Sequence, residues 1–489
     1  MTKYPVSLST PEAPAGRRRL ITALCFALAL IGAHLAAPPA QAKPKKAKKA
    51  ISVYPLPGTP VASDATTFSF RGIKKKNLGP VVVTGSKSGR HTGRLLAHSD
   101  GRGVSYIPKR KFVRGERVTV KTKRRIRLGR NGNFWVRIGR FYGSDETGKP
   151  APSEPPTGGL HSRPDLSPPR LDVKTWTPQI APGKVFFAPK SDGLTITDGR
   201  GRIVWFRPTS YGGTGEGVYN FRPQRYRKRP VLTYWKGAST ITGYSQIGFF
   251  EILNRKYNRI ARFEPANGYK ADIHEFVITP RNTALVLSYR GVIWNMKKFG
   301  GPVNGHLVDN VVQEIDIKTG AVIFEWHAIG NVSVGATTAE VPKDTSSFDY
   351  FHTNSIQLDG DSLLVSARKT SSVYRIDRAT GKIRWVLRGS GKKGRSDFKM
   401  GPGTSFAYQH DAQRLPNGDI SVFDNGSGRF APTVNAESSG LVLRLSGKTK
   451  KTRKATLVRR NTHPDKIVSG SQANAQPLPN GGMFIGWGS

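Results

Sequence analysis

Three features of the 489-residue sequence predict an all-β fold, a β-propeller preceded by a small β-sandwich. Residues 51–142 are a series of short β-prone runs split by glycine: TTFSFRG, GPVVVTG, GVSYIP, ERVTVKT and FWVRIG. Residues 182–489 carry a loose repeat in which two β-prone runs flank a Gly or Asn turn. Residues 143–181, rich in Pro, Gly and Ser, separate the two and read as a linker.

The N-terminus reads as a targeting segment. Arg17, Arg18 and Arg19 precede an apolar run over residues 20–31, followed by Ala40, Gln41 and Ala42. This is the order of a secretory signal peptide, so residues 1–42 are expected to be removed and the protein to be secreted or held in the cell envelope. The alternative is an N-terminal membrane anchor, for which the apolar run is short. Cys25, the only cysteine, lies inside that run, which leaves the mature chain free of disulfides. No later stretch has the uninterrupted apolar length of a membrane span.

Charge is unevenly distributed. The full chain has 78 Lys and Arg against 32 Asp and Glu, a net of +46. Residues 43–149 alone carry +22, beginning with the linker KPKKAKKA at 43–50. Residues 150–489 have a milder basic bias. With 9% aromatic residues and Val/Ile/Leu runs throughout, a disordered basic tail is excluded. The basic sandwich is expected to be a solubility feature or a contact to an anionic cell-surface polymer. Nucleic acid is not expected as a partner, because no recognition helix or aromatic stacking motif accompanies the charge.

Four strong copies of the repeat can be aligned: HEFVITPRNTALVLSYRG from His274, HTNSIQLDGDSLLVSARKT from His352, HDAQRLPNGDISVFDNG from His410, and ANAQPLPNGGMFIGWGS from Ala473. A weaker copy begins near Tyr219. In each strong copy a turn residue stands eight positions after the first: Asn282, Gly360, Gly418 and Gly481. Outer hairpins with an Asp, a turn Gly a few residues on and a downstream Trp follow, as in EIDIKTGAVIFEW and RIDRATGKIRWVL. The first histidines are 78 and 58 residues apart, which fits four-stranded propeller sheets with long loops. The last copy has no outer hairpin after it. Either the hairpin over residues 194–207 completes that blade or the blade is incomplete.

His274, His352 and His410 occupy one slot in successive copies. Propeller symmetry relates such slots by rotation about the axis, so three imidazoles are expected to converge on the channel. Asn354 and Arg368 lie in the same copy as His352. Arg368 offers a fork of donors suited to a tetrahedral oxyanion, and Asn354 a neutral donor. Asp272, Glu275 and Asp411 flank the histidines and are expected to orient an imidazole or meet a loop amide. Three histidines could instead hold a catalytic zinc, but no close-spaced His pair accompanies them, and Arg368 suits an anion better than a cation. No G-x-S-x-G elbow, P-loop or dinucleotide fingerprint marks another chemistry. A non-catalytic propeller that binds an anionic polymer is the second reading.

The segments DIHEF, FHTNSI…LLVSARKTSSVYRID, QHDAQRLPNGDISVFDNG and GSQANAQPLPNGGMFIGWG resemble the arylsulfotransferase (ASST) family over roughly residues 182–489. The resemblance implies a six-bladed propeller with an additional β-domain. It also implies transfer of a sulfuryl group from a phenolic sulfate ester to a phenol, without a nucleotide donor or other cofactor and without a metal. His410 matches the family's transiently sulfated nucleophile. His274, His352, Asn354 and Arg368 match its anion-binding and acid/base positions. The chain departs from some exported members in lacking a disulfide pair, and from the usual pattern in stopping just after the GWG stretch. A homo-oligomer is left open.

Overall fold

The computed structural model describes residues 50–142, 165–189, 193–209, 216–239, 245–391, 394–427 and 433–488. The expected signal peptide, all but Ala50 of the basic linker, and much of the 143–181 linker lie outside the described residues.

Alternation of buried and exposed side chains builds the N-terminal sandwich. Arg117–Thr122, for example, turns Val118 and Val120 inward and Arg117 and Lys121 outward. One sheet contains Ser52–Tyr54, Phe68–Arg71, Gly103–Pro108 and Gly93–Ala97 in that spatial order. The other contains Gly89–His91, Val81–Gly85, Arg117–Thr122 and Asn133–Arg137. Phe68, Phe70, Val83 and Val136 are fully buried between them.

Six further sheets follow along the described chain, and their successive antiparallel meanders make the propeller. The first has three strands, Lys184–Phe187, Leu194–Asp198 and Ile203–Arg207. The second runs from Glu216–Tyr226 to Arg259–Phe263, the third from Phe276–Ile278 to Val322–His327, and the fourth from Thr353–Asp359 to Ile383–Arg388, each with four strands. The fifth begins with His410–Arg414 and gains an outermost parallel strand, Lys399–Met400, beside Lys454–Thr462. The sixth is the pair Asn474–Pro477 and Met483–Gly486. The 194–207 hairpin pairs with its own inner strand Lys184–Phe187, and among the described residues it makes no ladder with the sixth sheet.

The turn register read from the repeat is realised in the backbone. Asn282, Gly360, Gly418 and Gly481 have φ of 61°, 64°, 88° and 82°. Only Gly, and less readily Asn, enters this left-handed region at low cost. Side-chain amides then link one inner strand to the next. Gln224 donates to Phe276 O at 2.9 Å and accepts from Ile278 N at 2.7 Å. Gln357 does the same from the fourth sheet to the fifth, accepting from Arg414 N at 2.6 Å.

The sandwich is not a separate bead. Its core is continuous with that of the third and fourth sheets, where Leu285, Trp326, Phe351 and Ile356 join Tyr54, Leu56 and Phe70 in one buried cluster. Trp326, fully buried, donates to Gly381 O at 3.1 Å in the hairpin of the next sheet. Polar contacts finish the seam: Ser99 N and Oγ both reach the Asp316 carboxylate, at 2.6 and 2.9 Å, and Ser63 Oγ reaches Asn267 O at 2.5 Å.

Candidate active site

The propeller brings His274, His352 and His410 together from three consecutive sheets. The ring of His274 lies 5.2 Å from that of His352 and 6.2 Å from that of His410, centre to centre. His352 and His410 are almost wholly buried, and the His274 side chain is 9% exposed. Each ring is fixed through Nδ1. His274 Nδ1 contacts Asp272 Oδ1 at 2.7 Å, His352 Nδ1 contacts Asp349 Oδ2 at 2.5 Å, and His410 Nδ1 contacts Asn425 Oδ1 at 2.7 Å. An acceptor at Nδ1 assigns the proton there and leaves the Nε2 lone pair free. Among the described residues no hydrogen bond reaches Nε2 of any of the three.

Two of these three anchors escaped sequence reasoning. Asp349 sits three residues before His352, on the loop entering the fourth sheet, and is itself held by Asn310 Nδ2 at 3.1 Å. Asn425 follows the second strand of the fifth sheet, fifteen residues after His410, and its amide donates to Ser469 O at 2.7 Å. Of the three acids singled out in the sequence, only Asp272 orients a ring. Glu275 pairs with Arg222, and Asp411 accepts from Ala475 N at 3.0 Å.

Arg368 follows strand Ser362–Ala367 and is 8% exposed, with Nη2 donating to Gly470 O at 3.0 Å and its guanidinium 5.4 Å from the Tyr408 ring centre. Its Nε is buried without a partner, and among the described residues no carboxylate forms an ion pair with it. A buried guanidinium without a direct ion pair, attracted only at longer range by Asp349, is costly, and an anion beside it would relieve that cost. Asn354 donates from Nδ2 to Gln409 O at 2.7 Å, the carbonyl next to His410, and its Oδ1 is unpartnered. One of its two amide hydrogens therefore fixes the neighbouring strand, leaving the other for a ligand. Tyr289, another residue missed in the sequence, places its ring 5.8 Å from His352 and 6.4 Å from His274 and donates its hydroxyl to Thr353 O.

Backbone strain occurs at and beside the site. His352, Tyr408 and Asp411 have φ of 55°, 52° and 50°, a region non-glycine residues adopt at a cost of about 1–3 kcal/mol each.

Electrostatics separate the histidines. Burial, then the positive field of Arg368 and the other imidazoles, holds His410 well below the usual histidine range, and Asn425 opposes this weakly. Burial also lowers His352, against the pull of Asp349. Asp349 is itself depressed: burial would raise it, but His352 and the hydrogen bonds to His352 and Asn310 outweigh that. Burial lowers Arg368 below the ordinary guanidinium value. His410 is thus a neutral imidazole with a neutral anchor, whereas His274 and His352 are backed by carboxylates. Among the described residues no group of three or more His, Cys, Asp or Glu side chains is gathered in a way that could hold a metal ion.

Fold and site together define a β-propeller in which three consecutive sheets gather three buried histidines near Arg368. The sequence model of the arylsulfotransferase (ASST) family matches residues 222–489, more than half of the chain, so the protein belongs to that family. This supports arylsulfotransferase activity at the level of the family, with a small-molecule sulfate donor and a phenolic acceptor. No curated protein sequence matches. Solved structures give distant likenesses. A protein of unknown function from Bacteroides caccae is 17% identical, with a TM-score of 0.34 over 62% of this chain and 82% of its own. The Dos1 propeller is 9% identical, with a TM-score of 0.32 over 86% and 85%. The rhamnogalacturonan lyase YesW is 11% identical, with a TM-score of 0.27 over 90% and 74%.

Proposed function

We propose that this chain is an exported aryl-sulfate sulfotransferase that works by a ping-pong mechanism through a sulfated His410. The observation that carries the proposal is the buried Arg368, which among the described residues has no carboxylate in ion-pair contact, near three imidazoles whose Nε2 atoms make no hydrogen bond to those residues. A sulfate monoester supplies the missing negative charge. The N-terminal order of arginines, apolar run and Ala40-Gln41-Ala42 supports export.

The chemistry needs an unprotonated nucleophile and fixed donors around three sulfuryl oxygens, since by analogy with phosphoryl transfer the transition state is loose. The lowered pKa of His410 provides the first. Arg368, the remaining Asn354 amide hydrogen and the neighbouring imidazoles can provide the second. The Nε2 lone pair of His410 attacks sulfur. The bond from sulfur to the aryl oxygen breaks, and its electron pair leaves with the phenolate. The entering anion favours the imidazolium form of His352, which Asp349 also supports against the effect of burial. That imidazolium, or His274 with Asp272 at its Nδ1, protonates the departing phenolate and then takes the proton of the acceptor phenol. The acceptor oxygen attacks sulfur, and the N–S bond breaks to restore His410.

Purified protein given p-nitrophenyl sulfate and phenol should release nitrophenol, and His410→Asn should lower that rate at least about a hundredfold. Intact-mass measurement with donor and no acceptor should find a sulfuryl adduct on the wild type and none on the variant. Wild-type turnover by His410→Asn would remove this residue from the mechanism.

A further inference from the structure

The sandwich carries a second concave surface, lined by none of the histidine-site residues. A cleft of about 680 Å³ is lined by Ala50 and by the turn over residues 122–132, which contributes Lys123, Arg124, Arg125, Arg127 and Arg130. No acidic residue lines it, and among the described residues none of these five cations forms an ion pair. Lys123, Arg125, Arg127 and Arg130 are exposed. Such clustering of like charge is unfavourable unless an external anion accompanies it.

The turn is held in one shape. Ile126 is buried and bridges Ile51, with Ile51 N on Arg125 O at 2.9 Å and Arg127 N on Ile51 O at 2.8 Å. Leu128, Asn131 and Gly132 adopt φ of 62°, 44° and 78°, and a Cβ on Gly132 would lie 2.2 Å from Thr122 O. Arg124 Nε reaches Leu78 O at 3.3 Å, tying the cleft to the short helix Lys75–Leu78, where Lys74, Lys75 and Lys76 are exposed. The cationic turn is therefore preorganised and lies beside further positive charge.

We propose that this cleft binds a polyanionic polysaccharide, a glycan chain with closely spaced sulfate or carboxylate groups, and so anchors the protein independently of its catalytic channel. Several guanidinium forks at a concave surface suit a flexible anionic chain. No aromatic side chain lines the cleft, so the stacking platform expected of a single-stranded nucleic-acid site is missing. Leu128 is the one large apolar side chain exposed there, less than an interfacial membrane contact requires.

The test measures binding of the full chain to labelled dextran sulfate and to polygalacturonate across a salt series. It compares the wild type with K123Q/R125Q/R127Q/R130Q and with a charge-matched control, K228Q/K448Q/K450Q/K451Q, on exposed propeller positions. The cleft variant should lose at least about tenfold in affinity for one or both glycans and show a shallower salt dependence by about 3 in log–log slope. The control should bind as the wild type does, and all three proteins should turn over p-nitrophenyl sulfate alike. Equal losses in cleft variant and control would reduce the effect to net charge and overturn the site, as would undiminished binding by the cleft variant. Tighter, cleft-dependent binding to single-stranded DNA or to anionic phospholipid vesicles would overturn the glycan assignment. Because the readout is binding, an inactive enzyme would leave this test intact.

Discussion

At the scale of single residues, the difference between His410 and its neighbours lies in what holds Nδ1. A neutral amide oxygen from Asn425 faces His410, whereas carboxylates face His274 and His352. The neutral anchor fixes the tautomer without favouring protonation, and burial then keeps the ring unprotonated. Asn425→Asp would add a negative charge at that position. The acid limb of kcat/KM for the donor should then move up by about one to three pH units. In the wild type that limb should lie below the ordinary imidazole value of about 6.5. A rate profile measured from pH 4 to 9 checks both, and an unmoved limb in Asn425→Asp would mean that Asn425 does not tune the nucleophile. The histidines were legible in the sequence because the repeat places them in register. Asp349 and Asn425 were not, since each meets its histidine only once loops have folded over the inner strands. Arg368 could be singled out by its chemistry, but that no carboxylate among the described residues forms an ion pair with it is a property of the packed site alone.

At the scale of elements, two glycines in the fourth sheet test what the turns contribute. Gly360 and Gly381 have nearly the same φ, 64° and 67°. A Cβ on Gly360 meets nothing within 4 Å, whereas one on Gly381 would lie 2.0 Å from Leu56 Cδ1 and 3.3 Å from Trp326 Cδ1. Gly360→Ala should cost only the left-handed backbone penalty, about 1 kcal/mol. Gly381→Ala should cost clearly more, because Leu56 is buried in the seam with the sandwich and cannot yield freely. Paired denaturation midpoints decide this, and equal losses would show that the seam relaxes around the added methyl. The turns were readable because a positive φ restricts residue type locally. The first sheet was harder: its inner strand Lys184–Phe187 is a four-residue run beside Pro182 and Gly183, so the 194–207 hairpin looked free to complete another blade. The two-residue parallel strand Lys399–Met400 had no sequence pattern to announce it.

At the scale of the whole molecule, buried imidazoles away from the channel shape stability. His327 lies between Asp309 at 2.6 Å and Glu325 at 3.2 Å. Burial would lower its pKa, but the two carboxylates overcome this and raise it to about 10. A raised folded-state pKa contributes stability that is complete below about 6.5 and is lost as pH climbs through 10. His98 behaves oppositely: burial, then Arg71, lowers it to about 4, so its contribution to stability falls as pH drops from 6.5 toward 4. Melting temperature should decline from pH 6.5 to 10, and the double variant His327→Gln, Asp309→Asn should lose part of that slope. A slope unchanged in the variant would place its origin elsewhere. The seam that buries Tyr54 and Leu56 against Trp326 and Phe351 was invisible in the sequence, because each residue fits equally well in a core of its own domain. It also bears on timing. The sandwich strands begin at Ser52, but their shared core also needs residues as late as Val386. The part of the chain synthesised early must therefore wait, with an apolar face uncovered, until some 330 further residues have been made. What is made first is finished late, and a chain crossing a membrane as a thread would complete that join only on the far side.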